Sequence, residues 1–287
     1  MTRLLHISDL HFGTVQRPVA DALRRLAAAQ QPSVLVLSGD ITQRARASEF
    51  AAARAFCDQL AVPAFLSVPG NHDIPLFNLA RRALSPYSRY LAQFGPALDG
   101  VVSTPDFLVI GVNTTRWWKH KNGRVSTAQI DHVAQLLRGD GVGALRQLRV
   151  VVVHQPIHVM RAEDEHDRLK HWAPAVRAWS QAGADVVLGG HIHLPYVCAL
   201  SASTAGLAAL SRAVWCVQAG TALSSRVRWE APNSVNLLCF DRHARPPVCR
   251  VERWDFVSAL PGGDGEFEQV LVTDLALEAN PVKQVSD

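Results

Sequence analysis

The chain has 287 residues, 48% of them apolar and 19% charged, which excludes a disordered segment, a collagen-like repeat and a disulfide-stapled miniprotein. A formal charge of +4, from 29 Lys and Arg against 25 Asp and Glu, is too small for a general nucleic-acid coat or a polybasic membrane anchor. Five widely spaced cysteines without a C-x-x-C pair read as small core residues of a reduced compartment.

From the N-terminus onward, short apolar runs alternate with longer amphipathic segments, the pattern of an α/β domain with buried strands. Strands are predicted at 3–7, 33–37, 64–68, 107–112, 148–153 and 185–188. Between them Val19, Leu23, Leu26 and Ala27 recur at helical spacing, as do Phe50, Ala53, Phe56 and Leu60. Ser126-x-x-Gln129 fits a capping box and opens a third helix through Ile130, Val133 and Leu137. After residue 194 strand-like runs at 196–200, 213–218, 235–240 and 247–254 are expected to complete a second sheet. One domain is drawn over 1–256, and 257–287, entered through Pro261-Gly262-Gly263-Asp264-Gly265, is expected to be a partly flexible tail. The start Leu4-Leu5-His6-Ile7-Ser8-Asp9 has no basic or apolar export region, and no apolar run approaches the ~20 residues of a membrane span, so a cytoplasmic location is expected.

Twelve histidines are the one oddity of composition, and several sit at predicted strand ends. The first strand runs into Asp9-Leu10-His11, where residues two apart on a strand would point to the same side. The following ones end in Gly39-Asp40, Gly70-Asn71-His72-Asp73, His154 and Gly190-His191-Ile192-His193. Open α/β sheets bind ligands just beyond the carboxyl ends of their strands, so the five turns are expected to meet. Asp9, His11, Asp40, Asn71, His154, His191 and His193 form a mixed oxygen and nitrogen donor set suited to Mn, Fe, Zn or Co. Seven ligands exceed what one ion takes, and two ions sharing a carboxylate satisfy them.

These blocks, in this order over residues 5–193, resemble the signature of the calcineurin-like metallophosphoesterases. The resemblance implies an α/β fold, a four-layer αββα sandwich of two mixed β-sheets flanked by helices. It implies two divalent metal ions, with Asp9, His11 and His193 on one, Asn71, His154 and His191 on the other, and Asp40 bridging. His72 would face the scissile phosphate, with Asp73 orienting its ring. The implied reaction is hydrolysis of a phosphodiester by a hydroxide bridging the metals. The blocks look most like those of bacterial class III cyclic-nucleotide phosphodiesterases and glycerophosphodiesterases. They also occur in nucleotide-lipid pyrophosphatases, nucleases and protein phosphatases, the last usually with arginine where this chain has Asp73. A non-catalytic scaffold of the same fold is the alternative of another class, and the complete set of eight positions argues against it.

The segment 116–124 is the most basic stretch, and its four cations equal the whole net charge. As a substrate-facing loop it offers Arg116 and His120, and Arg44 follows Asp40 closely enough to reach an anion. The charged run 161–171 is expected to be a solvated loop, and His6, His132 and His243 are read as structural. The expected partner is a small anionic phosphoester; single-stranded nucleic acid is less favoured, and the apolar late strands offer an edge for a homo-oligomer.

Overall fold

The computed structural model describes residues 1–139, 147–204, 206–208, 210, 212–228, 231–258 and 264–278. Strand β1 (Thr2–Ile7) is apolar on both faces, with Leu5 and Ile7 turned to helices and Leu4 to a second sheet. It pairs in parallel with β2 (Val34–Leu37), which pairs in parallel with β3 (Ala64–Ser67). Helices α1 (Arg17–Gln30) and α2 (Ala47–Gln59) cover this sheet through Leu23, Leu26, Phe50 and Phe56, the stripe that their 3.6-residue spacing predicts.

Two short helices follow, α3 (Leu79–Leu84) and α4 (Ser88–Phe94), then the strands β4 (Gly100–Ser103) and β5 (Phe107–Gly111). Helix α5 (Thr127–Arg138) starts at the anticipated cap, where Ser126 Oγ accepts from the Gln129 amide. Strand β6 (Leu148–Val152), helix α6 (Trp172–Ala182) and strands β7 (Val186–Gly189), β8 (Tyr196–Leu200) and β9 (Val214–Gln218) complete a second sheet, ordered β4-β5-β6-β7-β9-β8. Ile130, Val133, Val176 and Trp179 pack the two helices on its outer face. Leu4, Val34 and Val36 meet Val109, Val150 and Val152 between the sheets, so the layers run helix, sheet, sheet, helix as expected.

Two expectations about the late strands are corrected. Only 196–200 and 213–218 enter the second sheet. Strands β10 (Ser234–Asp241) and β11 (Val248–Val257) return to the first, where β10 pairs antiparallel with β1, Leu4 opposite Leu238. Residues Ser234 to Phe240 of β10 are buried, and the edge of β1 opposite β2 supplies the doubly covered position such a strand requires. Beyond 256, Glu266–Leu275 forms β12 and lines the edge of β11, a strand inside the segment expected as tail. Its central residues are exposed, so it carries no buried apolar alternation to signal it. The Pro261-Gly262-Gly263 turn lies outside the described residues.

Candidate metal centre

The C-terminal ends of β1, β2, β3, β6 and β7 converge. Convergence does not come from strand alternation, as the Asp9-x-His11 spacing suggested, because β1 stops at Ile7. Asp9, His11, Asp40, His191 and His193 instead hold φ between +44° and +76°. Left-handed backbone is uncommon for residues with a Cβ and costs of order 1–3 kcal/mol at each, so it persists where the surroundings enforce it. Here the turns are laced together: the Asp9 amide donates to the Gly39 carbonyl (3.0 Å), that of His11 to Asp40 (3.0 Å) and that of Gly190 to His154 (2.9 Å). Glycine is required at two of these approaches. A Cβ on Gly70 would overlap the Asp40 backbone and carboxylate, and one on Gly190 would overlap Ser8 Oγ and the Asp9 carboxylate.

All seven predicted ligands are brought together. Ligand atoms of Asp9, His11 and His193 lie within 4.8 Å of one another, as do those of Asp40, His154 and His191, and those of His11, Asp40 and His72. Two donors bound at about 2.1 Å to one ion sit about 3.0–3.4 Å apart. His11 Nε2 is 3.1 Å from His193 Nε2, Asp9 Oδ1 is 3.2 Å from His193 Nε2, Asp40 Oδ1 is 3.3 Å from His154 Nε2, and Asn71 Oδ1 is 3.2 Å from the same nitrogen. His154 Nδ1 donates to the Ser38 carbonyl (2.8 Å) and His193 Nδ1 to the Arg226 carbonyl (2.6 Å), which leaves both Nε2 lone pairs facing inward. Asp9 Oδ1 and both ring nitrogens of His191 are buried without a hydrogen-bond partner. Such orphans are costly unless a cation completes them, and the donor set fits a pair of divalent ions.

Electrostatics follow the same pairing. Burial alone would raise both carboxylates, yet His193 beside Asp9 and His154 beside Asp40 hold each below the usual carboxylate range. Burial would likewise depress His154, but Asp40 lifts it to about 9, and Asp9 lifts His193 in the same direction. His11 is pushed down to about 3 by burial. His6, read as structural, is buried against Ser38 Oγ at 2.9 Å and is also lowered to about 3 by burial.

His72 has a defined tautomer. Its Nδ1 lies 3.1 Å from the Gln43 carbonyl, which can only accept, so Nε2 accepts from Arg226 Nη1 at 3.1 Å. Asp73 does not orient that ring, contrary to expectation. Its carboxylate accepts from the amides of Gly70 (2.8 Å), Ile41 (3.1 Å) and Thr42 (2.9 Å) and from Thr42 Oγ1 (2.9 Å), tying the Asp40 turn to the Asn71 turn. Burial and the neighbouring Asp40 charge push Asp73 up to about 7 against those three amides.

Two cavities flank His72. One of about 380 Å³ is lined by Gln43, Arg44, Asn71, Phe77 and His120, so Arg44 and His120 do face the site. Arg116 does not share it: its guanidinium donates to the Asn113 and Thr115 carbonyls and to Gln129 Oε1 at the start of α5. The other cavity, of about 230 Å³, is lined by Asp40, His191, His193, Lys121, Asp167 and Arg226 among others. The 161–171 run is therefore a wall of the site more than a solvated loop. Asp164 pairs with Arg228 (3.1 Å), and Asp167 Oδ1 lies 3.4 Å from His191 Nε2. Sequence reasoning missed Arg226 and Asp167. Arg226 stands in a loop after β9 with no motif around it, and Asp167 was one carboxylate of four in a charged run.

A family model described as calcineurin-like phosphoesterase matches residues 2–195. A comparison with curated protein sequences found no match. Among solved structures, the purple acid phosphatase PPD1 of yellow lupin (Lupinus luteus) is similar with a TM-score of 0.66 and 12% identity, over 88% of this chain and 51% of its own. A dimetal phosphatase from Danio rerio aligns with a TM-score of 0.62 and 14% identity, over 96% and 99% of the two chains. The TT1561 protein of Thermus thermophilus gives 0.51 and 14%, over 88% and 97%. At these identities the likeness is one of fold.

Proposed function

The chain belongs to the calcineurin-like phosphoesterase family, and on that premise we propose that it is a phosphodiester hydrolase working with two divalent cations. The observation that carries the reading is the set of overlapping His and carboxylate clusters, sharing His11 and Asp40, built on left-handed turns at the strand ends. Asp9, His11 and His193 would hold one ion, Asn71, His154 and His191 the other, and Asp40 both. Such a pair, with Mn or Fe favoured, supplies Lewis-acid polarisation of a phosphoryl oxygen and an acidified water.

The chain's own groups do the rest. Arg226 presents its guanidinium to a non-bridging phosphoryl oxygen, exchanging its contact with His72 Nε2 for a charge-assisted one. His72 then holds a proton on Nε2, while Nδ1 keeps its bond to Gln43, and delivers it to the departing alkoxide. The groove of about 380 Å³ beside His72, with Arg44, Phe77 and His120 in its wall, has room for the second ester arm of a diester. A cyclic nucleotide or a glycerophosphodiester fits this description; a nucleotide-lipid pyrophosphate or a single-stranded nucleic acid would use the same centre.

A substrate panel on one Mn-loaded preparation tests the reading: cyclic nucleotides, glycerophosphodiesters, a nucleotide-linked lipid, single-stranded DNA and a phosphomonoester. Turnover of diesters above the monoester, abolished by chelation, is the expected result. Two bound ions with turnover of none of these substrates would overturn it.

A further inference from the structure

The large apolar side chains left exposed are concentrated beside the site. Phe77, Leu79 and Leu84 are 77%, 72% and 86% exposed, and Trp117 and Trp118 are 39% and 60% exposed. They belong to two segments that touch: Arg82 on α3 donates to the Lys119 carbonyl (2.8 Å) and to the Pro75 carbonyl (3.1 Å). The two indoles meet edge to face with centroids 5.5 Å apart. Leu76 and Phe77 from the first segment and His120 from the second line the groove that reaches His72.

The charges on these segments are of one sign. Residues 74–98 and 107–130 contain seven Lys and Arg and no Asp or Glu. Lys119 and Lys121 are exposed beside the indoles, and Arg81 and Arg82 are half-buried on α3. Folded proteins seldom leave a contiguous apolar patch in water unless it meets a partner. Apolar tips set among cations, with no carboxylate to repel a negative surface, match the interfacial zone of a bilayer with anionic headgroups. Tryptophans alone would equally suit the bases of a single strand, but the aliphatic Leu79 and Leu84 provide no stacking face and do favour acyl chains. No helix among the described residues is long and apolar enough to cross a membrane, so the contact is peripheral.

We propose that the face formed by residues 76–84 and 116–124 docks the chain on an anionic lipid surface, with the mouth of the His72 groove at headgroup level. The aliphatic tips enter the acyl boundary, the indoles sit at the interface, and Lys119 and Lys121 meet the phosphates.

Co-sedimentation of the full chain with vesicles tests this without any turnover, so its failure leaves the hydrolase reading standing. The protein is expected to pellet with phosphatidylcholine–phosphatidylglycerol vesicles and to stay in solution with phosphatidylcholine alone. The double variant Leu79→Glu, Leu84→Glu, altered only at exposed positions, is expected to lose roughly tenfold in partition per leucine. Lys119→Glu is expected to lose at least about fivefold, the worth of one basic residue near a charged bilayer. Absence of partition to the anionic vesicles, or unchanged partition of the double variant, would overturn the proposal. So would salt-sensitive capture of a single-stranded oligonucleotide that Trp118→Ala abolishes while vesicles are ignored, which would assign the face to nucleic acid.

Discussion

Replacing Asp73 by asparagine keeps the shape of the side chain and removes half of its acceptors. In the native turn, Oδ2 takes the amides of Gly70 and Ile41 while Oδ1 takes the amide and hydroxyl of Thr42. Whichever way the new amide is turned, its NH2 faces two groups that also donate. Two buried donors are then left unmet at about 1–3 kcal/mol each, a loss near 4 kcal/mol. Relief of repulsion from Asp40 offsets part of this, since that charge helps raise Asp73 to about 7. The net expectation is destabilisation by about 2–4 kcal/mol, measured by urea unfolding of the wild type and Asp73→Asn in parallel. Because the same carboxylate ties the turn of Asp40 to that of Asn71 and His72, metal affinity is expected to fall with it. An Asp73→Asn protein as stable as the wild type, with metal affinity intact, would refute the view that this residue staples the two turns.

Three further outcomes follow from the same geometry. His154, raised to about 9 by Asp40, carries a proton at neutral pH that a cation must displace. Metal affinity should therefore weaken about tenfold per pH unit below about 9, and calorimetry in buffers of different ionisation enthalpy should show proton release; binding without release would contradict the pairing. His72→Ala should lower kcat by about 10²–10⁴ while both ions remain bound, the loss expected of a proton donor; a preparation that binds fewer ions would make His72 a ligand. Arg226→Ala should lower kcat/KM about tenfold to a hundredfold through a lost charge-assisted contact, yet leave metal content unchanged, because His193 uses the backbone carbonyl of that residue and not its side chain.

The ligand set was legible because chemistry and position coincide in it. Asp9, His11, Asp40, Asn71, His154, His191 and His193 each follow a short apolar run, and residue type plus strand-end context is what a sequence displays. The way they converge was not legible: five left-handed backbones are imposed by lacing between turns that are distant in the chain. The function of Asp73 was hidden for the same reason, since its partners Ile41 and Thr42 lie 32 and 31 residues away. Strands β10 and β11 were seen as strands but given to the wrong sheet, because apolar content tells that a strand is covered and not which edge receives it. Arg226 had no local signal at all. An arginine in an irregular loop becomes meaningful only when β9 and β1 place that loop over His11 and His72.

The most direct test of the account is the rate of diester hydrolysis, with bis(p-nitrophenyl) phosphate as the probe, followed as Mn is titrated into the metal-free chain and bound metal is counted. A rate that climbs to its plateau only as the second ion binds is the predicted result. A plateau reached with a single ion, or hydrolysis by the metal-free chain, would contradict the dinuclear assignment.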